Sequence, residues 1–290
     1  MTEERFIDLH THSTASDGSF SPTEILDLAA EKNLAAVALT DHDTISGLPE
    51  FLEHSQKIDS VTAVPGVEIS ADLRGKEVHI VGLFIDHKCE SLNTLLTEIR
   101  KERDKRNVHI IEKLQKMNLD ITLAEVIAVA GGESIGRPHF ARALINKGYF
   151  AETQDVFDSC LKRGAPAYCS RVLPKPEDVI NEIHNAGGLS IWAHAVYRLK
   201  NERAFVRKNL RLLTPIGLDG VETNYSTFTP KQQKMMIELT EEFKLLRSGG
   251  SDFHGINQPA ISLGTGIDNL QVPESIYINL KNHIDACQSL

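Results

Sequence analysis

Cysteine is scarce and unpaired in this sequence: there are four, Cys89, Cys160, Cys169 and Cys287, and no C-x-x-C spacing. That excludes a disulfide framework and a zinc finger, and it leads us to expect a reducing, cytoplasmic location. Long apolar runs are also missing. No stretch approaches the roughly 18 residues of a membrane span, and the acidic start Met1-Thr2-Glu3-Glu4 does not read as a secretory signal. Positive charge is in deficit, with 31 Lys and Arg against 40 Asp and Glu for a net charge of −9. Affinity for long duplex DNA comes mostly from Lys and Arg on phosphates, so such a partner is not expected, although a local basic pocket is compatible. With 19 Gly and 11 Pro in 290 residues, collagen-like and disordered readings fail. There is no internal repeat and no low-complexity segment. What remains is an ordinary globular composition, 41% hydrophobic and 24% charged, with material for a large core.

Short β-branched or apolar runs alternate with helical patterns. Strands are predicted at Phe6 to Leu9, Ala36 to Leu39, Val61 to Val64, Val78 to Phe84, Leu189 to Ala193, Gly220 to Glu222 and Leu245 to Ser248. Ser21-Pro22-Thr23-Glu24 and Thr229-Pro230-Lys231-Gln232 are capping-box starts with Pro at the first helical position. Pro176 opens another helix, which Gly187-Gly188 closes. Such alternation predicts an α/β fold with parallel strands, as a barrel or an open sheet. The middle differs. One long charged helix runs from about Ser91 to Met117, then come Gly131-Gly132 and a helix from Pro138 to Lys147 stopped by Gly148. Residues 101–170 are therefore expected to be a helical insertion between barrel segments 1–100 and 171–290.

The unusual number is twelve histidines. Asp8-Leu9-His10-Thr11-His12 ends the first strand, and residues two apart in an extended chain point the same way, so His10 and His12 can share one ion. Asp17 follows in the next loop. Thr40-Asp41-His42-Asp43 follows the second strand and Gly66-Val67-Glu68 the third; His79 lies in the fourth, His194 ends the fifth, and Ser251-Asp252-Phe253-His254 follows the last. Most of these sit just past the C-terminal end of a predicted parallel strand, the edge where α/β folds gather their sites. A single histidine there is usually structural; the joint pattern across independent strand ends is the signal. Nine nitrogen or oxygen ligands exceed the three or four that one ion uses. They suit two or three divalent ions, with one carboxylate bridging. Multi-ion sites with spacings of about 3.5–4 Å serve phosphoester chemistry, making hydroxide from water and stabilising attacking and leaving oxygens. His54, His87, His109, His184 and His283 read as surface or helix residues.

Taken together, Ile7-Asp8-Leu9-His10-Thr11-His12-Ser13, Ser16-Asp17-Gly18, Leu39-Thr40-Asp41-His42-Asp43, Pro65-Gly66-Val67-Glu68-Ile69, Val78-His79-Ile80, Ala193-His194 and Ser251-Asp252-Phe253-His254 resemble, in order, the motifs of the PHP (polymerase and histidinol phosphatase) family. The likeness runs over essentially the whole chain. Gly136-Arg137-Pro138-His139 resembles the nucleotide phosphoesterase subgroup, which includes 3′,5′-nucleoside bisphosphate phosphatases and a bacterial exonuclease that trims short RNA from the 5′ end. The resemblance implies a distorted (β/α)7 barrel of PHP type with a trinuclear site. By it, His10, His12, Glu68 and Asp252 hold one ion, and Asp17, His42 and His254 a second. Glu68 bridges to a third on His79 and His194. Ala195 stands where many relatives carry Pro; no ligand is lost by it. Manganese is the expected metal, with zinc or iron compatible with the same donors.

For the substrate, Ile99, Arg103, Arg106, Ile110, Leu114 and Met117 share one face of the long helix. Two guanidiniums in that apolar stripe are expected to turn inward to a phosphate, the alternative being a solvated Glu102–Arg106 charge run. Arg137 and His139 stand at a helix start, where free N–H groups favour an anion. Arg171 is a weaker candidate. The insertion then acts as a lid over the metals. The expected activity is hydrolysis of a nucleoside 3′,5′-bisphosphate, 5′→3′ trimming of short 5′-phosphorylated RNA, or both. His42, His194 and Asp43 are the candidate catalytic groups, and a metal-bound water, His194 or Asp43 each stay open as leaving-group acid. Competing readings are a histidinol-phosphate-type phosphatase, which lacks a reason for Arg137; an amidohydrolase, which Glu68 and Asp252-x-His254 fit poorly; and a non-catalytic binding module, against which the complete ligand set counts.

Overall fold

The computed structural model describes residues 5–130, 134–196, 201–267 and 270–288. The expected break at Gly131-Gly132 lies outside them. In chain order the elements are β1 (Ile7–Asp8), α1 (Pro22–Glu31), β2 (Ala36–Leu39), α2 (Leu48–Ser55), β3 (Thr62–Asp72), β4 (Glu77–Leu83), α3 (Glu90–Lys116), α4 (Leu123–Ala130), α5 (Arg137–Asn146), α6 (Thr153–Val156), α7 (Pro176–Asn185), β5 (Leu189–Trp192), α8 (Glu202–Leu213), β6 (Gly220–Tyr225), α9 (Pro230–Phe243), β7 (Leu246–Gly250) and α10 (Glu274–Gln288). Both capping boxes form: Ser21 Oγ accepts from Glu24 N at 3.1 Å while Ser21 N donates to Glu24 at 2.7 Å, and Thr229 pairs likewise with Gln232.

The seven strands lie side by side in sequence order. Backbone bonds close the sheet on itself. Leu9 N donates to Gly249 O at 3.1 Å, Asp252 N to His10 O at 2.9 Å and His12 N to Phe253 O at 2.9 Å. The result is a distorted seven-stranded β/α barrel. Closure needs Gly250, since a methyl there would lie 2.4 Å from His10 N. Ile7, Leu9, Val81, Leu83, Ile191 and Ala193 fill the interior, while Ile25, Phe51, Ile180, Ile183 and Leu210 pack helices against the outer face.

One expectation is corrected. The strands are not all parallel: β4 runs antiparallel to both β3 and β5. The cause is local. β3 ends at Asp72 and β4 starts at Glu77, leaving only residues 73–76, too few for the crossover a parallel pair needs. Arg74 (φ 56°) and Gly75 (φ 79°) make the reversal. Residues 110–167 build an apolar cluster of their own around Leu114, Phe140, Leu144 and Leu161. Among the described residues no helix is long and apolar enough to cross a membrane.

Candidate metal centre

Strand ends and buried anchors place most of the nine candidate ligands, while Glu68 stands inside β3, not past its end as expected, and His79 inside β4. The His10-Thr11-His12 segment is held extended by Thr11, whose N donates to Thr40 Oγ1 at 3.1 Å and whose Oγ1 donates to Ala38 O at 2.6 Å. Asp8, fully buried, accepts from Ser251 N at 2.8 Å, Ser251 Oγ at 2.5 Å and Gly264 N at 2.8 Å. That ties the first strand to the loop carrying Asp252 and His254. Asp41 does the same for the Asp17 loop, accepting from Ser13 N and Ser13 Oγ at 2.7 Å and from Ser16 Oγ at 2.5 Å.

The ligand atoms converge. Those of His10, His12, Glu68 and Asp252 lie within 4.8 Å of one another, as do those of His12, Asp17, His42 and His254, and those of His42, Glu68 and His79. Glu68 is the hub. Its Oε2 lies 2.7 Å from His42 Nδ1 and 3.4 Å from both His10 Nε2 and His12 Nε2; its Oε1 lies 2.8 Å from His79 Nδ1 and 2.9 Å from His194 Nε2. Asp252 Oδ1 is 3.0 Å from His12 Nε2, and Asp17 Oδ1 is 3.2 Å from His254 Nε2.

These residues fit cations better than they fit each other. His10 Nε2, both His12 nitrogens, Asp17 Oδ1, His42 Nδ1 and Glu68 Oε2 are buried without a hydrogen bond. His42 Nδ1 and Glu68 Oε2 are close but not aligned as donor and acceptor. Buried polar groups are normally satisfied, and these unsatisfied ones crowd a common space. Imidazole and carboxylate donors in such number suit divalent transition metals.

Burial opposes charge on His10, His12, His79, His254 and the three carboxylates, and the neighbours decide the outcome. Against burial, the carboxylates of Glu222, Glu68 and Asp252 hold His10 well above the ordinary imidazole value. Against burial again, Glu68 raises His79 to about 10, and Asp17 with Asp252 raises His254 to about 10. Burial, with His254 and His42 beside it, lowers His12 to about 3. Glu68, Asp17 and Asp252 are held well below the usual carboxylate range because their imidazole neighbours outweigh burial. Anionic carboxylates and a neutral His12 are the forms that bind a metal.

Two supports escape sequence reasoning. Glu222 sits 2.6 Å from His10 Nδ1 and accepts from His194 N at 2.5 Å, so it orients two candidate ligands. Tyr225 donates its hydroxyl to Asp252 Oδ2 at 2.7 Å. Both stand on β6, the only signal being a carboxylate inside a buried strand. Asp43, His194 and Asp252 have φ of 53°, 31° and 59°, the left-handed region that marks strained functional positions.

A cavity of about 280 Å³ lies over the cluster, walled by His42, His79, His194 and Tyr225 on the barrel side and by Arg103, Arg106, Arg137 and Arg171 opposite. Arg106 is buried; its bonds run to Ile135 O at 3.1 Å and Asn107 Oδ1 at 3.2 Å, with no carboxylate partner among the described residues. Burial, and then Arg103, Arg171 and Arg137 around it, lower its pKa to about 9. Arg137 lies 5.7 Å over the Tyr168 ring. His139 is not among the residues lining this cavity: its Nδ1 accepts from Gly136 N at 3.0 Å, and it lines the adjoining cavity on the other side of the α5 N-terminus. Asp43 is fully buried, is not among the residues lining the cavity, and is ion-paired to Arg103 and Arg171, so it anchors two guanidiniums of the cavity wall. His54 and His184 pair with Asp27 and Asp219 away from the centre.

Comparison with known proteins agrees with the geometry. A model of the PHP domain matches residues 8–167. The chain is 37% identical over 247 residues to the 5′-3′ exoribonuclease of Haemophilus influenzae, across 85% of this chain and 89% of that protein. It is 30% identical over 286 residues to the 3′,5′-nucleoside bisphosphate phosphatase of Chromobacterium violaceum, across 96% and 97%. A crystal structure from Bifidobacterium adolescentis, assigned only provisionally as a metal-dependent phosphoesterase, matches with a TM-score of 0.85 and 29% identity over 95% of both chains.

Proposed function

Because the chain belongs to the PHP domain family and is a metal-dependent phosphoesterase, we propose that its substrates are nucleotides: a nucleoside 3′,5′-bisphosphate, short 5′-phosphorylated RNA, or both. One observation carries this reading. A cluster of buried, unsatisfied imidazole and carboxylate atoms faces a wall of four arginines across a single cavity. The names of the two relatives support the substrate class.

We assign His10, His12, Glu68 and Asp252, then Asp17, His42 and His254, then Glu68, His79 and His194 to two or three divalent ions, manganese foremost. Ions bound there supply Lewis acidity and lower the pKa of water. Glu68 places the imidazoles around one point, and Glu222 fixes His10 from behind. Arg103 and Arg171 present guanidiniums already oriented by Asp43, so little entropy is lost when they meet a phosphate. Arg106 gains in the substrate the counter-charge it lacks in the protein, and Arg137 faces the nucleotide beside Tyr168. A histidinol-phosphate substrate would leave these arginines without an anion beyond the reacting one.

The test is steady-state hydrolysis of adenosine 3′,5′-bisphosphate and of 5′-phosphorylated oligoribonucleotides, with elemental analysis of the purified protein. Turnover that a chelator abolishes and manganese restores is expected. Preference for histidinol phosphate over both substrates, or activity indifferent to chelation, overturns the proposal.

A further inference from the structure

The cavity over the metal centre continues on both sides of the α5 N-terminus. On one side it shares Glu77, Arg106, Arg137 and Arg171 with a cationic cavity of about 500 Å³. On the other it shares Asp17, Pro138, His254 and Gln258 with a cavity of about 300 Å³. The second has a different chemistry. Pro138, Ile145, Ile256 and Pro259 give it an apolar wall, with Arg142 and His139 at its edge. Ile256 is 66% exposed, next to the buried centre.

The loop itself holds that isoleucine out. Ile256 N donates to Ser19 Oγ at 2.9 Å, Asn257 Nδ2 donates to Asp17 O at 2.8 Å, and Arg142 donates to Asn257 Oδ1. Gly255 turns the chain at φ 65°, where a methyl would lie 2.0 Å from Ser19 Oγ. The apolar shelf is therefore rigid and fixed relative to the candidate ligands Asp17 and His254.

A phosphomonoester has organic substituent on one side of phosphorus only, so one flanking cavity suffices for it. A phosphodiester has substituents on both sides. The site offers two compartments of opposite character. We propose that the Ile256 cavity is the subsite for the downstream strand of an RNA substrate, its base lying against Ile256 and Pro259 and its next phosphate facing Arg142. This rests on the nucleotide reading above and gives its RNA substrate a subsite of its own. The first nucleotide occupies the cationic side. Water oxygen bonds to phosphorus as the bond from phosphorus to the 3′ oxygen of the first nucleotide breaks. That oxygen takes up one proton, water gives up one, and the phosphate stays on the 5′ oxygen of the downstream strand. A 3′,5′-bisphosphate breaks the same bond between phosphorus and the 3′ oxygen, but as a monoester with no downstream strand, so it leaves the Ile256 cavity empty.

The two substrates therefore isolate this subsite. For the metal-loaded protein, kcat/KM is measured on adenosine 3′,5′-bisphosphate and on a 5′-phosphorylated pentaribonucleotide, in wild type, Ile256→Ser and Arg142→Ala. The ratio of RNA to bisphosphate kcat/KM is expected to fall at least fivefold in each variant, through KM for RNA. An unchanged ratio in both variants overturns the inference. Wild type that hydrolyses the bisphosphate but not RNA also overturns it and leaves the nucleotide reading intact, whereas wild type that hydrolyses neither removes that reading itself.

Discussion

The Asp43 carboxylate lies between two guanidiniums: its Oδ2 accepts from Arg103 Nη2 and, at 2.9 Å, from Arg171 Nη1. Arg103 stands midway along α3, and Arg171 in the segment before α7. Two stretches far apart in the chain are thus fastened beside His42. Ser70 completes the knot, its N donating to Asp43 Oδ1 at 2.9 Å and its Oγ accepting from Arg171 Nη2 at 2.5 Å. Opposite charges arranged this way hold Asp43 well below the usual carboxylate range against its burial, chiefly through Arg171 and then Arg103.

Asp43→Asn keeps the shape and removes the charge. Breaking a buried pair costs about 3–5 kcal/mol when one charge is left behind, and here Arg171 retains Glu77 at 2.8 Å. We expect a loss toward the lower end of that range in urea unfolding, and a drop in kcat/KM of at least tenfold. Metal content, read by elemental analysis, should stay at the wild-type value. Loss of the ions would instead make Asp43 part of the metal site.

Arg106 should behave in the opposite way. A buried guanidinium without a carboxylate is a stability cost, as its lowered pKa of about 9 indicates. An apolar side chain of similar length removes the cost of keeping an unpaired charge out of water. Arg106→Met is expected to melt at or above the wild-type temperature while KM for a nucleotide rises at least tenfold. A destabilised variant with normal KM would show that the arginine serves the fold.

A pH signature belongs to a pair far from the centre. His184 Nε2 lies 2.7 Å from Asp219 Oδ2, and that hydrogen bond, outweighing burial, raises the imidazole above 6.5. A raised folded pKa means the stabilisation is complete below about pH 6.5 and disappears as pH climbs through the folded value. With the ring 37% exposed, the effect should stay under about 1 kcal/mol. Unfolding free energies of wild type and His184→Gln should differ more at pH 5.5 than at pH 9. A gap that is constant between those pH values contradicts the assignment.

Much of the barrel and its ligand set is legible in the sequence because barrel strands announce their ends. Ala36–Leu39 is four buried apolar residues followed at once by Thr40-Asp41-His42-Asp43, and the strand Leu189–Trp192 runs through Ala193 into His194 in the same way; the expected end of the third strand at Val64 is corrected, because β3 continues to Asp72 and carries Glu68 inside it. Ser21 and Thr229 mark their helices because a capping box is a local, reciprocal pair of bonds. The direction of β4 is not legible by that logic, since an apolar run has no orientation; residues 73–76 decide it. Glu222 and Asp43 are hidden for a related reason. A carboxylate's partner, an imidazole or a guanidinium, comes from a distant segment, and only the closed barrel shows that Glu222 faces His10 and that Asp43 sits directly behind Arg103, Arg171 and Ser70 of the cavity wall.

Glu68 gives the sharpest test of the centre itself. Its two oxygens face five imidazoles, so it belongs to every candidate ion position except the one built from Asp17, His42 and His254 alone. His79, by contrast, is partly exposed at the rim, and Glu68 is its one partner among the nine candidate ligands at ion-pair distance. If the positions share Glu68, Glu68→Gln should lose two of the bound ions and His79→Ala one, counted by elemental analysis after gel filtration. Ligand linkage adds a second readout. Binding at 100 times Kd stabilises the folded state by about 2.7 kcal/mol, so manganese should raise the melting temperature of wild type strongly, of His79→Ala less and of Glu68→Gln least. Equal metal content and equal shifts in the two variants would mean that Glu68 bridges nothing and that the imidazoles around it act as separate sites.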